Sequence, residues 1–332
     1  MQQFQFNPLQ LAQPRPFGIS AVMRIKNGGE FLEATIRSHL PYFDAIVACY
    51  NNCNDNTAEI LQQLVFEFPN KVRMFHYEPL VHPILSQEHK DTETFSIHSM
   101  ANYYNFSLAQ CRYQIATKLD DDHLAIAANM QAAVTLVRHE YRAGRRSLFR
   151  FSGLNLAGDP KNPLIYRTCP LVGTGDIMFF PIDPQIYFVQ AKDFETLQFG
   201  DLKNKLSKHY LGILYCHLKH LKSDYGFANL SEPCKSEQIA AYQRSCRLQT
   251  LTACTAPDTQ QQLIAEYGKL AFQIRQSALV RFALRLLDKQ QPLRFARLHG
   301  MQQDIAGLDW QQDVLQWLQP KGIVQPALRR YV

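Results

Sequence analysis

The sequence lacks the features that mark membrane, fibrous and disordered proteins. No run of eighteen apolar residues occurs in the 332 residues, so no membrane-spanning helix is predicted. The N-terminal residues contain no basic stretch followed by an apolar one, which argues against a signal peptide. Fifteen glycines and seventeen prolines are too few for a collagen-like or low-complexity chain, and 46% hydrophobic residues suffice for a sizeable core.

Cysteine pairs with metal-binding spacing are also missing. The eight cysteines include no Cys-x-x-Cys pair, and their spacing does not indicate a zinc site. A chain of this size without export signals is expected to keep its thiols reduced. We therefore expect a cytoplasmic protein, with a peripheral position on the inner face of the membrane as the alternative.

The positive charge is unevenly distributed along the chain. Residues 1–234 contain 22 Lys and Arg against 22 Asp and Glu, whereas residues 235–332 contain 13 against 7, so the net charge of +6 lies in the last part. One helix predicted there carries basic side chains on a single face: Arg275, Arg281, Arg285 and Lys289. This face could rest on an anionic membrane surface or pack on a neighbouring domain. Nucleic-acid binding is disfavoured because the basic excess is modest and is not interleaved with aromatic residues.

Apolar runs and helical periodicity alternate in the first part of the chain. The pattern predicts strands at 17–25, 45–50, 71–77 and 113–119, and helices at 30–40, 58–66 and 95–112. Shorter strand-like runs follow at 148–151, 176–181 and 186–189, and helical stretches at 236–246, 259–287 and 310–318. Strands that alternate with helices at this spacing are typical of an α/β protein with a parallel sheet.

An acidic triplet, Asp120-Asp121-Asp122, directly follows the strand predicted at 113–119. Ligands of open α/β sheets bind at the carboxyl ends of the strands, and the triplet lies at such an end. Three adjacent carboxylates repel one another unless a positive group binds them, and a hard divalent cation is the usual partner. A solvated acidic turn is the alternative interpretation.

Four segments, taken in order, resemble family 2 glycosyltransferases of the inverting GT-A type. They are VMRIKNGGEFLEATIRSHLPYFDAIVACYNNCNDNTAEIL, ANYYNFSLAQ followed by ATKLDDDHLA, KDFETL, and CHLKHLK. The resemblance implies a GT-A fold, which is Rossmann-like with a mostly parallel sheet and helices on both faces, over residues 17–232. An N-terminal arm (1–16) would precede this domain, and a basic helical module (233–332) would follow it. The implied activity is metal-dependent transfer of a hexosyl or N-acetylhexosaminyl group from a nucleotide-diphosphate sugar to a bacterial surface glycan, such as lipopolysaccharide or capsule.

The resemblance also implies roles for individual residues. Asp120 and Asp122 fall on the outer positions of the DxD motif and, with His217, would hold Mn²⁺ or Mg²⁺. His123 would be either a partner outside the ligand shell or a structural histidine. Contacts to the nucleotide-sugar donor would come from Arg24, Lys26, Asn27, Asn51, Lys118, Asp120 and Asp121. Alternation along a strand would turn Asp121 away from its two neighbours. Asn51 stands where the family commonly carries an aspartate, so the motif does not specify the nucleotide base, and UDP is taken as the default.

An inverting transfer needs a carboxylate that takes the proton of the acceptor hydroxyl. Asp193 falls where the family carries this base, Asp176 lies among glycines that let substrate approach, and Glu195 is a third candidate. Two other functions stay open at this stage. One is a retaining GT-A enzyme, which needs no base, and the other is a non-catalytic partner that binds nucleotide sugars or glycans. The DxD motif together with His217 favours an enzyme, and the oligomeric state is not predicted.

Overall fold

The computed structural model describes residues 2–166, 171–172, 178–191, 194–245, 248–250 and 308–318. Asp176, Asp193 and the basic helix predicted around Arg281 lie outside the described residues. None of the helices within these ranges is both long and apolar enough to cross a membrane.

The strands alternate with helices in the first half of the chain and follow one another in the second. The strands are β1 (Ile19–Ile25), β2 (Ala45–Tyr50), β3 (Val72–His76), β4 (Ile115–Lys118), β5 (His123–Ala125), β6 (Ser147–Asp159), β7 (Asn162–Tyr166), β8 (Leu171–Val172), β9 (Met178–Pro181), β10 (Tyr187–Gln190), β11 (Glu195–Gln198), β12 (Ser207–His220) and β13 (Leu248–Gln249). The α-helices are α1 (Leu32–His39), α2 (Thr57–Glu67), α3 (Gln87–Asp91), α4 (Met100–Ala109), α5 (Ala127–Arg142) and α6 (Glu232–Ser245). Shorter helical segments are Gln2–Phe4, Pro8–Ala12, Gly200–Asn204, Trp310–Leu315 and Gln316–Leu318.

The main sheet has a parallel half and an antiparallel half. Its strands are ordered β13-β7-β6-β9-β4-β1-β2-β3, and the neighbours from β4 to β3 are parallel. Strand β9 joins the halves because it pairs antiparallel with both β4 and β6. Strand β12 lies off this order and pairs parallel with β6 and antiparallel with β5. The predicted α/β class is therefore confirmed.

The central strands are apolar on both faces because helices cover both sides of the sheet. On β1, Ile19, Ala21, Met23 and Ile25 pack in one core cluster, and Val22 packs in the other. The first cluster receives side chains from α1, α2 and α5, whereas the second receives them from α4. The helices therefore bury both faces of the sheet, and a site is expected at the ends of the strands.

The N-terminal segment, predicted as an arm, packs on the helix α4 side of the sheet. Phe4, Phe6 and Leu11 are at most 8% exposed. The Asn102 side chain accepts a hydrogen bond from the Phe6 backbone N–H at 3.0 Å and donates one to the Phe4 carbonyl at 2.8 Å. Three apolar side chains without a period gave no helix or strand signal, so the sequence did not indicate this docking.

Two elements near the site were not predicted. Helix α5 follows β5 and buries Met130, Val134 and Val137. Strand β12, of 14 residues, was anticipated only through its CHLKHLK end. Of the residues described beyond 250, Val314 is fully buried, and Asp313 accepts a hydrogen bond from the Ala127 backbone N–H at 3.1 Å. That segment therefore packs at the start of α5.

Candidate active site

The acidic triplet lies between the end of β4 and the start of β5. Strand β4 ends at Lys118, and Asp121 and Asp122 form a turn before β5. Strand β5 then pairs with β12 so that His123 lies opposite His217, and β6 places Asn155 opposite His217 on its other side. The pairing of strands far apart in sequence therefore brings His217 to the triplet.

One side of the triplet faces two imidazoles, and we call it the imidazole side: Asp122 Oδ1, His123 and His217. Asp122 Oδ1 lies 3.5 Å from His217 Nε2 and 3.8 Å from His123 Nε2. One ligand atom from each residue lies within 4.8 Å of the other two, and all three residues are buried. The arrangement could hold a metal ion.

Asn155 fixes the tautomer of His217. Its Oδ1 lies 2.8 Å from His217 Nδ1, and an amide oxygen can only accept a hydrogen bond. Nδ1 therefore donates this hydrogen bond, and Nε2 points toward Asp122. A metal-binding histidine is usually oriented in this way by a partner on its other nitrogen.

Two polar atoms of the imidazole side are buried without a hydrogen-bond partner in the part of the chain that the structure describes: Asp122 Oδ1 and His123 Nε2. The His123 ring stacks on Tyr215 with 3.8 Å between ring centroids. Burial lowers the pKa of His123 to about 3, so the ring is neutral near pH 7 and can offer a lone pair. Buried polar atoms are rarely left unsatisfied, so these residues fit a bound cation.

The other side of the triplet is closed by two lysines, and we call it the lysine side: Lys118 and Lys222 with Asp120, Asp121 and Asp122 Oδ2. Lys222 Nζ lies 3.0 Å from Asp121 Oδ2 and 3.2 Å from Asp122 Oδ2, and Lys118 Nζ lies 3.2 Å from Asp120 Oδ2. Carboxylate oxygens on this side already have cationic partners.

Burial and the lysines act against each other on these carboxyl groups. Burial favours the neutral form of Asp122, but the Lys222 ammonium and His217 together outweigh it and hold the pKa of Asp122 well below its usual range. Burial also favours the neutral form of Asp120, but the Lys118 ammonium opposes it, and the pKa of Asp120 is lowered to about 2. Burial prevails at Asp121 and raises its pKa. The triplet is therefore not three equivalent acids.

The expected orientation of Asp121 was wrong. Strand alternation does not apply, because β4 ends before the triplet and Asp121 lies in a turn. Its carboxylate shares Lys222 with Asp122 and lines the same cavity. A Cβ atom at Gly28 would lie 2.5 Å from Asp121 Oδ2, so the approach of the two segments requires glycine.

A cavity of about 370 Å³ opens beside the triplet. Its walls include all three aspartates and His217, and its cationic side chains are Arg24, Lys26, Lys118, Lys219 and Lys222. Carboxylates together with several cations suit a ligand that carries both an anionic group and a bound metal ion.

Arg24 lines this cavity and has hydrogen-bond donors that no described residue uses. It is buried against Tyr104, whose hydroxyl accepts a hydrogen bond from Nη2 at 2.9 Å and whose ring lies 4.4 Å from the guanidinium carbon. Its Nε and Nη1 have no hydrogen-bond partner within the described ranges. The predicted donor contact of Arg24 is therefore available for an anion.

Two other predicted donor contacts are engaged in turns. The Asn51 amide nitrogen donates to the carbonyls of Tyr77 and Pro79 at 2.5 and 2.7 Å, which leaves its Oδ1 for a ligand. Asn51 lies with Lys26 in a second, smaller pocket. Asn27, with a φ of 52°, accepts a hydrogen bond from the Asn54 backbone N–H at 3.0 Å. Both asparagines therefore shape the loops at the ends of β1 and β2.

Among the candidate bases, Glu195 alone belongs to the described residues. Its side chain is 6% exposed, and its Oε1 lies 3.8 Å from His89 Nε2. Sequence reasoning missed Asn155 and Lys222. A lone polar residue inside the apolar run GLNLAG was a signal for Asn155, whereas a lysine in LKHLKS has no distinguishing mark.

Comparison with known proteins gives one family match. Residues 5–154, somewhat less than half of the chain, match the model of the CgtA family, described as β-1,4-N-acetylgalactosaminyltransferase. No curated protein matches significantly. The match confirms the predicted class of enzyme, a glycosyltransferase.

Similar solved structures are distant in sequence. A structure of S. aureus TarS 1–349 has 11% identity and a TM-score of 0.36, with 68% of this chain and 70% of that one covered. Glucosyl-3-phosphoglycerate synthase from Mycobacterium tuberculosis, in complex with Mn²⁺, UDP and glucosyl-3-phosphoglycerate, has 13% identity and a TM-score of 0.36, with 63% and 74% covered.

Proposed function

We propose that the protein transfers a sugar from a UDP-sugar to a glycan acceptor with Mn²⁺ or Mg²⁺ as cofactor. The observation that carries this proposal is the imidazole side, a buried cluster of Asp122, His123 and His217. Asp122 and His217 line the cation-lined cavity. The family that matches residues 5–154 is named for N-acetylgalactosamine transfer, so UDP-N-acetylgalactosamine is the first donor to test.

Asp122 and His217 are the best-placed metal ligands of the DxD-type set. Asp122 Oδ1 and His217 Nε2 face each other, and Asn155 holds the imidazole in the required tautomer. Asp120 is paired with Lys118 at 3.2 Å and would have to share its carboxylate. A bound divalent ion would neutralise charge on the departing diphosphate.

The cationic wall would bind the diphosphate directly. Arg24 offers two nitrogens without a hydrogen-bond partner among the described residues, and Lys118 and Lys219 line the same cavity. Burial lowers the pKa of Lys219, and a phosphate beside it would favour the charged ammonium again. These side chains would orient the donor and hold it while the acceptor hydroxyl approaches.

We propose an inverting reaction with Asp193 as the base that takes the acceptor proton, and Asp176 as the second candidate. Asp193 lies in the chain between β10 and β11, which pair antiparallel, and Phe194 beside it lines the cavity. A β-linked product from an α-linked UDP-sugar requires inversion, which agrees with the β-1,4 linkage in the description of the matching family. Glu195 is buried beside His89 and would need to move to reach an acceptor.

The acceptor is proposed to be an anionic or lipid-linked bacterial surface glycan of the lipopolysaccharide or capsule type. The support is the excess of positive charge in residues 235–332, with 13 Lys and Arg against 7 Asp and Glu. Such a module (233–332) would attract an anionic glycan or an anionic membrane surface.

The test combines ligand binding with turnover. Thermal unfolding of the wild type should shift upward with UDP and Mn²⁺ together, and UDP release from UDP-N-acetylgalactosamine should stop with EDTA. Asp122→Asn should lose the metal-dependent shift and lower turnover by at least about a hundredfold, because several kcal/mol of charge stabilisation is removed. Asp201→Asn, at an exposed carboxylate away from the cavity, should behave as wild type. Full activity of Asp122→Asn, or turnover that EDTA leaves unchanged, would refute the proposal.

A further inference from the structure

We propose that His123 is a direct metal ligand, so that the ion is held by two imidazoles and one carboxylate: His123, His217 and Asp122. This inference rests on the proposed function of the site as a metal centre and specifies its ligand set. It replaces the outer-partner role expected for His123.

Two buried atoms, His123 Nε2 and Asp122 Oδ1, lie near each other without hydrogen-bond partners among the described residues. His123 Nε2 and Asp122 Oδ1 are both inaccessible to solvent, lie 3.8 Å apart, and have no hydrogen-bond partner among the described residues. A separation of 3.8 Å is too long for a hydrogen bond between them. An ion bound by both atoms would satisfy a lone pair and a carboxylate oxygen at once.

Neighbouring side chains hold both imidazoles in place. Tyr215 stacks on the His123 ring at 3.8 Å, and Asn155 accepts from His217 Nδ1 at 2.8 Å. The rings meet edge to face with centroids 5.2 Å apart, and each directs Nε2 toward Asp122. Two oriented imidazoles beside one carboxylate form a preorganised ligand set.

The ammonium groups of the lysine side pair with one oxygen of Asp122 and one oxygen of Asp120. Lys222 lies 3.2 Å from Asp122 Oδ2, and Lys118 lies 3.2 Å from Asp120 Oδ2. Asp122 can therefore offer Oδ1 to the ion while Oδ2 stays with Lys222. Asp120 Oδ2 also lies 3.8 Å from His123 Nε2, but it is already paired with Lys118.

A ligand set with two nitrogens determines which ions bind. Mg²⁺ takes oxygen ligands almost exclusively, whereas first-row transition ions accept imidazole nitrogen. The site should therefore bind Mn²⁺, Co²⁺ or Zn²⁺ in preference to Mg²⁺, and His123 should be responsible for much of that preference.

The experiment counts nitrogen ligands on bound Mn²⁺. The full chain, freed of metal with EDTA, is titrated with Mn²⁺ and followed by electron paramagnetic resonance. Electron spin echo modulation then reports coupled imidazole nitrogens. We expect two imidazoles in the wild type and one in His123→Gln. The variant should bind Mn²⁺ at least about tenfold more weakly, since even the loss of a partner outside the ligand shell costs 10–100-fold. Its affinity for Mg²⁺ should change less.

The matched control is His220→Gln. His220 is three residues beyond His217, and its Nδ1 is also buried without a hydrogen-bond partner in the described part of the chain. It stacks on Tyr242 at 4.5 Å, and no described carboxylate forms an ion pair with it. This variant should keep two imidazole nitrogens and wild-type affinity.

The outcomes separate this inference from the proposed function. One imidazole nitrogen in the wild type, with UDP-dependent Mn²⁺ binding and turnover intact, overturns the inference and leaves the proposed function standing. No Mn²⁺ binding by the wild type, with or without UDP, overturns both. The count on the wild type needs no variant, so it decides the inference even if His123→Gln fails to fold.

Discussion

The lysine side and the imidazole side of the acidic triplet share Asp122, but its two carboxylate oxygens have different surroundings on the two sides. On the lysine side, two ammonium groups lie within 3.2 Å of oxygens from all three aspartates. On the imidazole side, Asp122 Oδ1 faces the rings of His123 and His217 and has no hydrogen-bond partner within the described residues. The count of carboxylates therefore does not locate a cation site. In the proposed metal centre, the carboxylate oxygen without a hydrogen-bond partner, Asp122 Oδ1, is the expected ligand.

The largest expected effect comes from breaking the lysine side. Lys222→Met removes the ammonium that Asp121 and Asp122 share and leaves two buried carboxylates close together. The metal-free protein should lose about 3–5 kcal/mol of unfolding free energy, as is usual when one partner of a buried ion pair is removed. Chemical denaturation measures this loss. Mn²⁺ should bind the variant more tightly than wild type because the competing cation is gone.

Two variants sharpen this first comparison. Asp121→Asn combined with Lys222→Met should recover part of the lost stability, because the carboxyl group with the raised pKa is then neutral. Lys203→Met, at an exposed lysine, should change stability little. Equal loss in the Lys222 and Lys203 variants would contradict the role given to the lysine side.

The second prediction contrasts the imidazole side with a buried imidazole that serves the fold. His39 packs on Phe43, and its Nδ1 lies 2.8 Å from the Thr35 carbonyl oxygen. Burial lowers its pKa to about 4, so the unfolded chain binds the proton more readily than the folded one. The stability from neutral His39 is present above about pH 6.5 and is lost as the pH falls toward 4, on the order of 3 kcal/mol.

Denaturation at pH 7 and pH 4.5 measures the effect of His39. His39→Gln should show a smaller fall in stability between these values than wild type and should bind Mn²⁺ normally. An unchanged pH dependence in this variant would show that His39 is not kept neutral by burial.

The smallest expected effect comes from loosening one ring of the imidazole side. Asn155→Ala removes the acceptor of the His217 Nδ1–H and should weaken Mn²⁺ binding by about 10–100-fold. Asn155→Asp keeps an acceptor at the same place and should retain most of the affinity. Calorimetric titration with Mn²⁺, with a thermal melt to check folding, distinguishes the two. Equal affinities for Asn155→Ala and wild type would mean that the hydrogen bond does not orient the ligand.

Much of the parallel half of the sheet could be predicted from sequence. The expected strands at 17–25, 45–50 and 71–77 match β1, β2 and β3 to within a few residues, because strands buried on both faces read as apolar runs between helices. Helix α5 and most of β12 were not predicted. Their stability comes from packing against β5 and β6, and such long-range pairing leaves no local pattern.

By itself, the sequence determined the α/β alternation and the position of Asp120, Asp121 and Asp122 after an apolar strand. It also supplied the resemblance that singled out His217. Only the tertiary structure decided which carboxylate oxygen faces a lysine and which faces an imidazole. That division depends on the register of β12 with β5 and β6, which sets His217 beside His123 and Asn155. The register is fixed by burial of side chains from segments far apart in the chain, and local periodicity does not report it.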